Sequence, residues 1–305
     1  MANSFAANRI VQEAFAAGLA ETQGLFSKVC GPAKMIPGAA SVSIGASAVG
    51  GIGATLSRTA TSVSSSDMFT FETAFPVVHK VLVSEVKVQT MASDYALAEA
   101  GRQLAQSAVA TLDKGFFDSL EGLFALAHPR VGTGAGQVGS GKKYLDTGLK
   151  GLQGESGEFT YSTLATAALA EAALYTAIKT LMAQKNDRGI PLHLGSTSGF
   201  VLVCDPSKAD VAHELIRSTL SGADMASNFA NGLGIDIVTF PWTTDSDDWF
   251  LISKNTCPVG LAVSLEPTAR ITTKTNGLFH ELVAEVEYTP WQSPYEYGIY
   301  GSNVA

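Results

Sequence analysis

One stretch constrains the fold more than any other. Between residues 94 and 126, apolar side chains recur at Leu97, Leu104, Ala108, Leu112, Phe116, Leu120 and Phe124, close to the 3.6-residue period of an α-helix. Ser93 or Asp94 can cap its start. His128-Pro129 stops it, because proline lacks a backbone donor and restricts the residue before it. At 1.5 Å per residue the predicted helix is about 50 Å long. The mean helix of a globular protein has only about 11–12 residues. The rest of the chain must supply cover along this rod.

The flanking segments mix helix and strand. Residues 4–29 are predicted helical from Phe5, Ile10, Val11, Phe15, Leu19 and Phe26. Gly31 to Ser66 is rich in Gly, Ala and Ser, has no clear period, and carries too few charges for a solvated linker. It fits either an arm lying on a neighbouring subunit or a buried internal loop. Met68 to Gln89 is rich in β-formers but interrupted by Pro76, so it is predicted as two extended arms with a bend. A long exposed hairpin of this kind needs a covering partner.

Residues 130–157 are glycine-rich and predicted as a loop, and a helix is predicted over Tyr161 to Lys185. Phe200 to Cys204 is a short buried strand, after which Asp205-Pro206 opens a helix from Ser207 to Thr219. Ile235 to Val238 and Trp249 to Ile252 are predicted strands joined by a polar hairpin turn, Thr243 to Asp248. Val259 to Tyr288 is mostly strand, with clear alternation over Glu281 to Tyr288. The order lacks a regular βαβ rhythm, so the fold class is α+β.

Charge narrows the function. Only 16% of the 305 residues are charged, against about 25% in an average protein. With 46% apolar residues, this fits a surface largely covered by other subunits, or a compact α/β enzyme. A net charge of −8 argues against direct nucleic-acid readout, which needs clustered Lys and Arg. It is compatible with enclosing DNA, since an acidic wall lets DNA slide without sticking. Cys30, Cys204 and Cys257 are far apart and form no metal spacing. Such a sparse, odd set fits a reducing cytoplasm, with the thiols as small buried hydrophobes. Neither a signal peptide nor an apolar run long enough to span a membrane is found.

The chemical motifs are weak. Gly134-Ala135-Gly136-Gln137-Val138-Gly139 matches a dinucleotide fingerprint, and Gly136 to Lys142 matches the start of a phosphate loop. Both need a strand before and a helix after. Here a helix end precedes them, and Lys143 stands where Ser or Thr would hold magnesium. Asp245, Asp247 and Asp248 cluster in one turn without the glycine and distal Glu of a calcium loop. The histidines His79, His128, His193, His213 and His280 form no zinc pair, and no nucleophile elbow is present. We therefore expect no catalytic, cofactor-binding or metal site, and no enzyme. Trp291, Tyr295, Tyr297 and Tyr300 crowd the C-terminal third and fit either an interface or a core.

Taken together, three stretches carry a resemblance. Phe71 to Val88 entering the helix Met91 to Phe124 is similar to an extension loop feeding a spine helix. Phe200 to Pro206 followed by a helix is similar to an axial-domain unit. Asp248 to Ile252, Pro267 to Tyr288 and Trp291 to Gly301 resemble the ending of Mu-like major head subunits. The chain thus resembles the Hong Kong-type capsid fold of tailed phages and herpesviruses, along nearly its whole length.

The resemblance implies a division into an N-terminal arm (1–66), an extension loop (67–90), a peripheral domain with the spine helix (91–157 and 263–290), an axial domain (158–262) and a C-terminal tail (291–305). It implies a major capsid protein of the virion. Such a protein assembles in the host cytoplasm as hexamers and pentamers into an icosahedral shell around double-stranded DNA, without sequence-specific binding and without a membrane. A separate scaffolding protein, a portal and a decoration protein are the implied partners. Phe15, Phe71, Phe75, Lys80, Lys87, Trp291, Tyr295 and Tyr297 are the expected inter-subunit contacts, Lys80 and Lys87 lying where some members of the family cross-link. The rival readings are an encapsulin-like compartment shell, a phage tail or adaptor protein, and a nucleotide-binding enzyme using the 134–142 loop.

Overall fold

The structure is a computed structural model that describes residues 2–35, 41–48, 69–76, 80–81, 84–89, 93–132, 137–152, 158–185, 191–195, 199–217, 229–241, 245–254, 256–273, 279–293 and 295–304. By internal packing the chain divides into two compact units. The first comprises Met1–Val42, Ala74–Ser119 and Val259–Trp291; the second comprises Ser43–Thr73, Leu120–Pro258 and Gln292–Ala305.

The first unit is a helix pair over a sheet. The long helix forms as its periodicity predicts, as α3 (Asp94–Gly122), but stops before His128-Pro129. Its end tightens through bonds from Leu123 N–H to the Leu120 carbonyl and from Phe124 N–H to the Glu121 carbonyl. Such i to i+3 bonds close a helix, and Gly122 is a poor residue to continue one.

Residues 4–29 form two helices rather than one, α1 (Ala2–Glu21) and α2 (Leu25–Cys30). The break has a physical cause. Gly24 offers no capping side chain, so Asp113 of α3 caps α2 instead, its Oδ1 accepting the Phe26 N–H at 2.8 Å. Burial raises the Asp113 pKa, and the N–H groups of Phe26 and Leu25 oppose that shift. Asp113→Ala is expected to cost about 1–2 kcal/mol through the uncapped helix. Asp113→Asn, which keeps the acceptor, should cost less; chemical denaturation of the two variants checks this.

Helix α1 lies close on α3 because small residues face each other. A Cβ on Gly101 would stand 2.9 Å from the Val11 carbonyl oxygen, and one on Gly18 would stand 2.9 Å from the Ala105 Cβ. Val11, Phe15, Leu97, Leu104 and Ala105 fill this seam together with Ala269, Leu282 and Ala284 of the sheet. In that sheet β1 (Lys34–Met35) runs parallel to β12 (Val259–Thr273), and β12 neighbours β13 (Phe279–Gln292). Both β4 (Lys80–Val81) and β5 (Ser84–Gln89) pair antiparallel with β13.

The predicted extended arms are strands, but they do not pair with each other. β3 (Phe69–Pro76) pairs with β2 (Ser41–Ala48), inside the segment that showed no clear period. The small residues of β2, Gly45 among them, hid its alternation of Val42, Ile44, Ala46 and Ala48.

The second unit centres on a mixed five-stranded sheet ordered β10-β9-β11-β14-β8. Its members are β8 (Leu164–Ala165), β9 (Phe200–Cys204), β10 (Asp236–Thr239), β11 (Trp249–Ser253) and β14 (Ile299–Ser302). All residues of β9, β11 and β14 are buried. Helices α4 (Glu171–Met182) and α5 (Ala209–Arg217) pack on the sheet through Leu174, Ile178, Leu181, Ala212 and Ile216. As predicted, Asp205 caps the entry to α5, its carboxylate accepting the Ser207 N–H at 2.9 Å, with Pro206 in the first turn.

Three expectations are corrected here. First, β10 and β11 are not a hairpin; both flank β9, the apolar run suited to a sheet interior. Second, the helix predicted from Tyr161 begins only at Glu171, because Tyr161 lies in β7 (Glu158–Tyr161), paired with β6 (Leu149–Leu152). Third, residues 130–157 therefore carry a strand, and 120–157 belong to the second unit. Residues 292–305, expected as a C-terminal tail, contribute β14, which lies between β11 and β8.

Candidate functional site

The glycine segment is a stem with a loop. The Tyr144 N–H donates to the Leu126 carbonyl, the His128 N–H to the Lys142 carbonyl and the Val138 N–H to the Arg130 carbonyl. This pairing turns His128 and Arg130 inward, where both are buried beside Glu296. His128 Nε2 lies 2.7 Å from Glu296 Oε2, and Arg130 donates to the same oxygen at 3.2 Å. The Tyr161 hydroxyl donates to Oε1. The Arg130 N–H donates to His128 Nδ1 at 3.0 Å, which places the ring proton on Nε2, facing the carboxylate.

Aromatic rings enclose the cluster. His128 stacks on Tyr144 at 5.4 Å, and the Arg130 guanidinium lies 4.4 Å from the centroid of Tyr295. Tyr295 in turn stacks on Tyr297 at 5.3 Å. The Tyr144 hydroxyl reaches the carbonyl oxygens of Ser293 and Tyr295 at 3.0 and 3.1 Å. Burial alone would raise the Glu296 pKa. The His128 hydrogen bond and the Arg130 charge overcome that and lower it to about 2. Burial and the Glu296 charge hold the Tyr144 hydroxyl protonated. Glu296 is fully buried, and the cluster pins the C-terminal segment to the stem.

The sequence-derived contact residues are distributed differently. Phe15 is 3% exposed, inside the core of the first unit, and Tyr295 lies under Arg130 in the second. Both side chains are buried within their own units. Trp291, against Gly260, and Tyr297 are half-buried. The side chains of Phe71, Phe75, Lys80 and Lys87 lie outside the described residues; the backbones of Lys80 and Lys87 pair with Tyr288 and Glu281. Cys204 is buried as expected, whereas Cys30 and Cys257 are half-buried. Gly134 to Gly136 lie outside the described residues, and no helix follows the glycines: Lys143 bridges Ala127 instead. The context for a dinucleotide or nucleotide loop is therefore missing. Sequence reasoning missed Glu296, which stands 166 residues from Arg130; a lone acid in an aromatic segment was its one signal.

The acidic turn holds a second perturbed group. Asp248 is 2% exposed, and its Oδ1 accepts the Val304 N–H at 3.2 Å. Burial, aided by Asp245, Glu121 and Asp247, raises its pKa to about 6 from 3.8. Asp247 itself is paired with Lys208 at 2.6 Å. A carboxyl raised in this way favours the folded state below pH 3.8, and that contribution is lost as pH rises through about 6. Asp248→Asn is therefore expected to melt higher than the parent above pH 6 and to lose this advantage near pH 4. Thermal unfolding across that range checks it.

Comparison with known proteins agrees with this architecture. The family described as phage capsid protein matches residues 77–287. The mature capsid of bacteriophage PhiM1 is similar at a TM-score of 0.53 and 12% identity, covering 93% of this chain and 87% of that one. The capsid of Ralstonia phage GP4 gives 0.52 and 14%, covering 88% and 86%. The virus-like particle of Pyrococcus furiosus gives 0.50 and 10%, covering 97% and 99%. No curated protein matches.

Proposed function

Because the chain belongs to the phage capsid protein family and has the Hong Kong-type capsid fold, we propose that it is the major head subunit, assembling as hexamers and pentamers into an icosahedral shell around double-stranded DNA. The observation that carries this reading is the family match over 77–287, which takes in α3, the five-stranded sheet through β11, all of β12 and most of β13. Its role is structural and not enzymatic. The first unit corresponds to a peripheral domain and the second to an axial domain. The β2–β3 pair lies on a neighbouring subunit, with Phe71, Phe75, Lys80, Lys87, Trp291 and Tyr297 as contact residues. A scaffolding protein, a portal and a decoration protein complete the particle, which assembles in the host cytoplasm.

Electron microscopy of the purified protein, with sedimentation velocity on the same sample, tests this reading. Closed shells, or capsomers that convert to shells, are expected. Protein cargo in place of DNA would identify an encapsulin-like compartment, and open rings or tubes a tail component. A stable monomer or dimer, even with scaffold co-expressed, would overturn the proposal.

A further inference from the structure

The glycine segment lines a cavity of about 210 Å³. Two lysines line it, Lys142 and Lys150, together with Gln137, Ser140, Gly139 and Gly148; no acidic residue does so among the described residues. That is notable in a chain of net charge −8. Lys142 is held in place. Its Nζ donates to the Thr147 carbonyl at 2.6 Å and to Asp146 at 3.2 Å, outside the lining. An ammonium has three protons, so one remains to donate.

The glycines make room for this group. Gly139 (φ 115°) and Gly148 (φ 65°) occupy backbone conformations that side chains rarely adopt, and a Cβ on either would stand within 4 Å of the Lys142 side chain. Two cations, a hydroxyl and an amide suit an oxyanion with several acceptor atoms.

We propose that this cavity binds a phosphate group, either free or as a phosphodiester of enclosed nucleic acid. The second source rests on the capsid reading; the site itself does not.

The test titrates the full-length protein with inorganic phosphate by calorimetry, then repeats the titration in the presence of a short DNA duplex. One phosphate per chain is expected. Lys142→Gln and Lys150→Gln should each weaken binding about tenfold, as loss of a charge-assisted bond does. Lys208→Gln, at the separate Asp247 pair, should leave it unchanged. Lys150→Gln keeps the test decisive if loss of the Lys142 bonds disturbs the loop. If duplex competes with phosphate in the parent but not in the variants, the phosphodiester is the ligand; if phosphate binds without competition, the free anion is. No phosphate binding at low salt, or binding equal in the parent and both lysine variants, overturns the proposal. Absence of shells under the microscope would overturn the capsid reading while leaving the phosphate titration intact.

Discussion

Glu296→Ala is expected to destabilise the second unit by about 3–5 kcal/mol, the usual result of removing one partner from a buried ion pair. The loss is large because of what remains. Arg130 is 4% exposed at its side chain and would stay charged after losing the Glu296 carboxylate, while the His128 Nε2–H and the Tyr161 hydroxyl would lose their acceptor. Whole domains are stable by only about 5–15 kcal/mol, so the variant should unfold at much lower denaturant. The double variant Arg130→Met with Glu296→Leu should be more stable than Glu296→Ala alone, since it leaves no unpaired charge. If it is equally unstable, the polar network itself, and not the orphaned cation, carries the effect.

The same carboxylate sets an acid limit. Its pKa is about 2 in the folded chain, against an ordinary 4.5. A depressed carboxyl stabilises the fold above the unfolded value and loses that contribution as pH falls from about 4.5 through about 2. At about 1.4 kcal/mol per unit this is on the order of 3 kcal/mol. The parent's stability should therefore fall steeply across that window, and the Glu296→Gln curve should be flatter there. Asp248 acts in the opposite direction at higher pH, so the two groups together place the optimum of the second unit in mild acid.

The second large effect concerns the last strand. β14 hydrogen-bonds β11 on one side and β8 on the other, with Leu251 opposite Tyr300 and Leu164 opposite Gly301. Deleting residues 299–305 removes a strand from within a sheet, exposes β11 and strands β8. Gly301 also has a packing role. A Cβ there would come within 2.8 Å of Phe124, whose ring stacks on Phe250 at 4.9 Å. The truncated chain is expected to lose the cooperative unfolding of the second unit and to form no shells. Circular dichroism and sedimentation check this. Gly298→Val tests the same joint with a single change. Gly298 has φ 88°, and a Cβ would stand 2.0 Å from the Thr256 carbonyl oxygen. Strain of this kind costs about 1–3 kcal/mol from the backbone alone, and the clash adds to it. Retention of normal stability in either variant would show that β14 is dispensable.

Local signals in the sequence predicted local structure well. The 3.6-residue period located α3, the all-apolar run marked β9, and Asp205-Pro206 marked the entry to α5, because each depends on neighbours within a few residues. Where a segment's structure depends on distant groups, the sequence was silent or misleading. α2 parts from α1 because Asp113 captures the Phe26 N–H from 87 residues away. Tyr161 has helical neighbours, yet it lies in a strand against β6 and donates to Glu296, 135 residues on. Trp291 to Tyr300 were legible as aromatic but not as interface or core, since composition is the same in both.

By itself, then, the sequence determined the class of the fold, its long helix and the kind of protein it resembles. Periodicity, caps and breakers act within one or two turns and leave their mark on adjacent residues. Tertiary structure alone decided the strand order, the interior position of β14 and the His128–Arg130–Glu296 cluster. Burial and charge pairing are properties of residues brought together across the chain, and no residue carries them in its own neighbourhood.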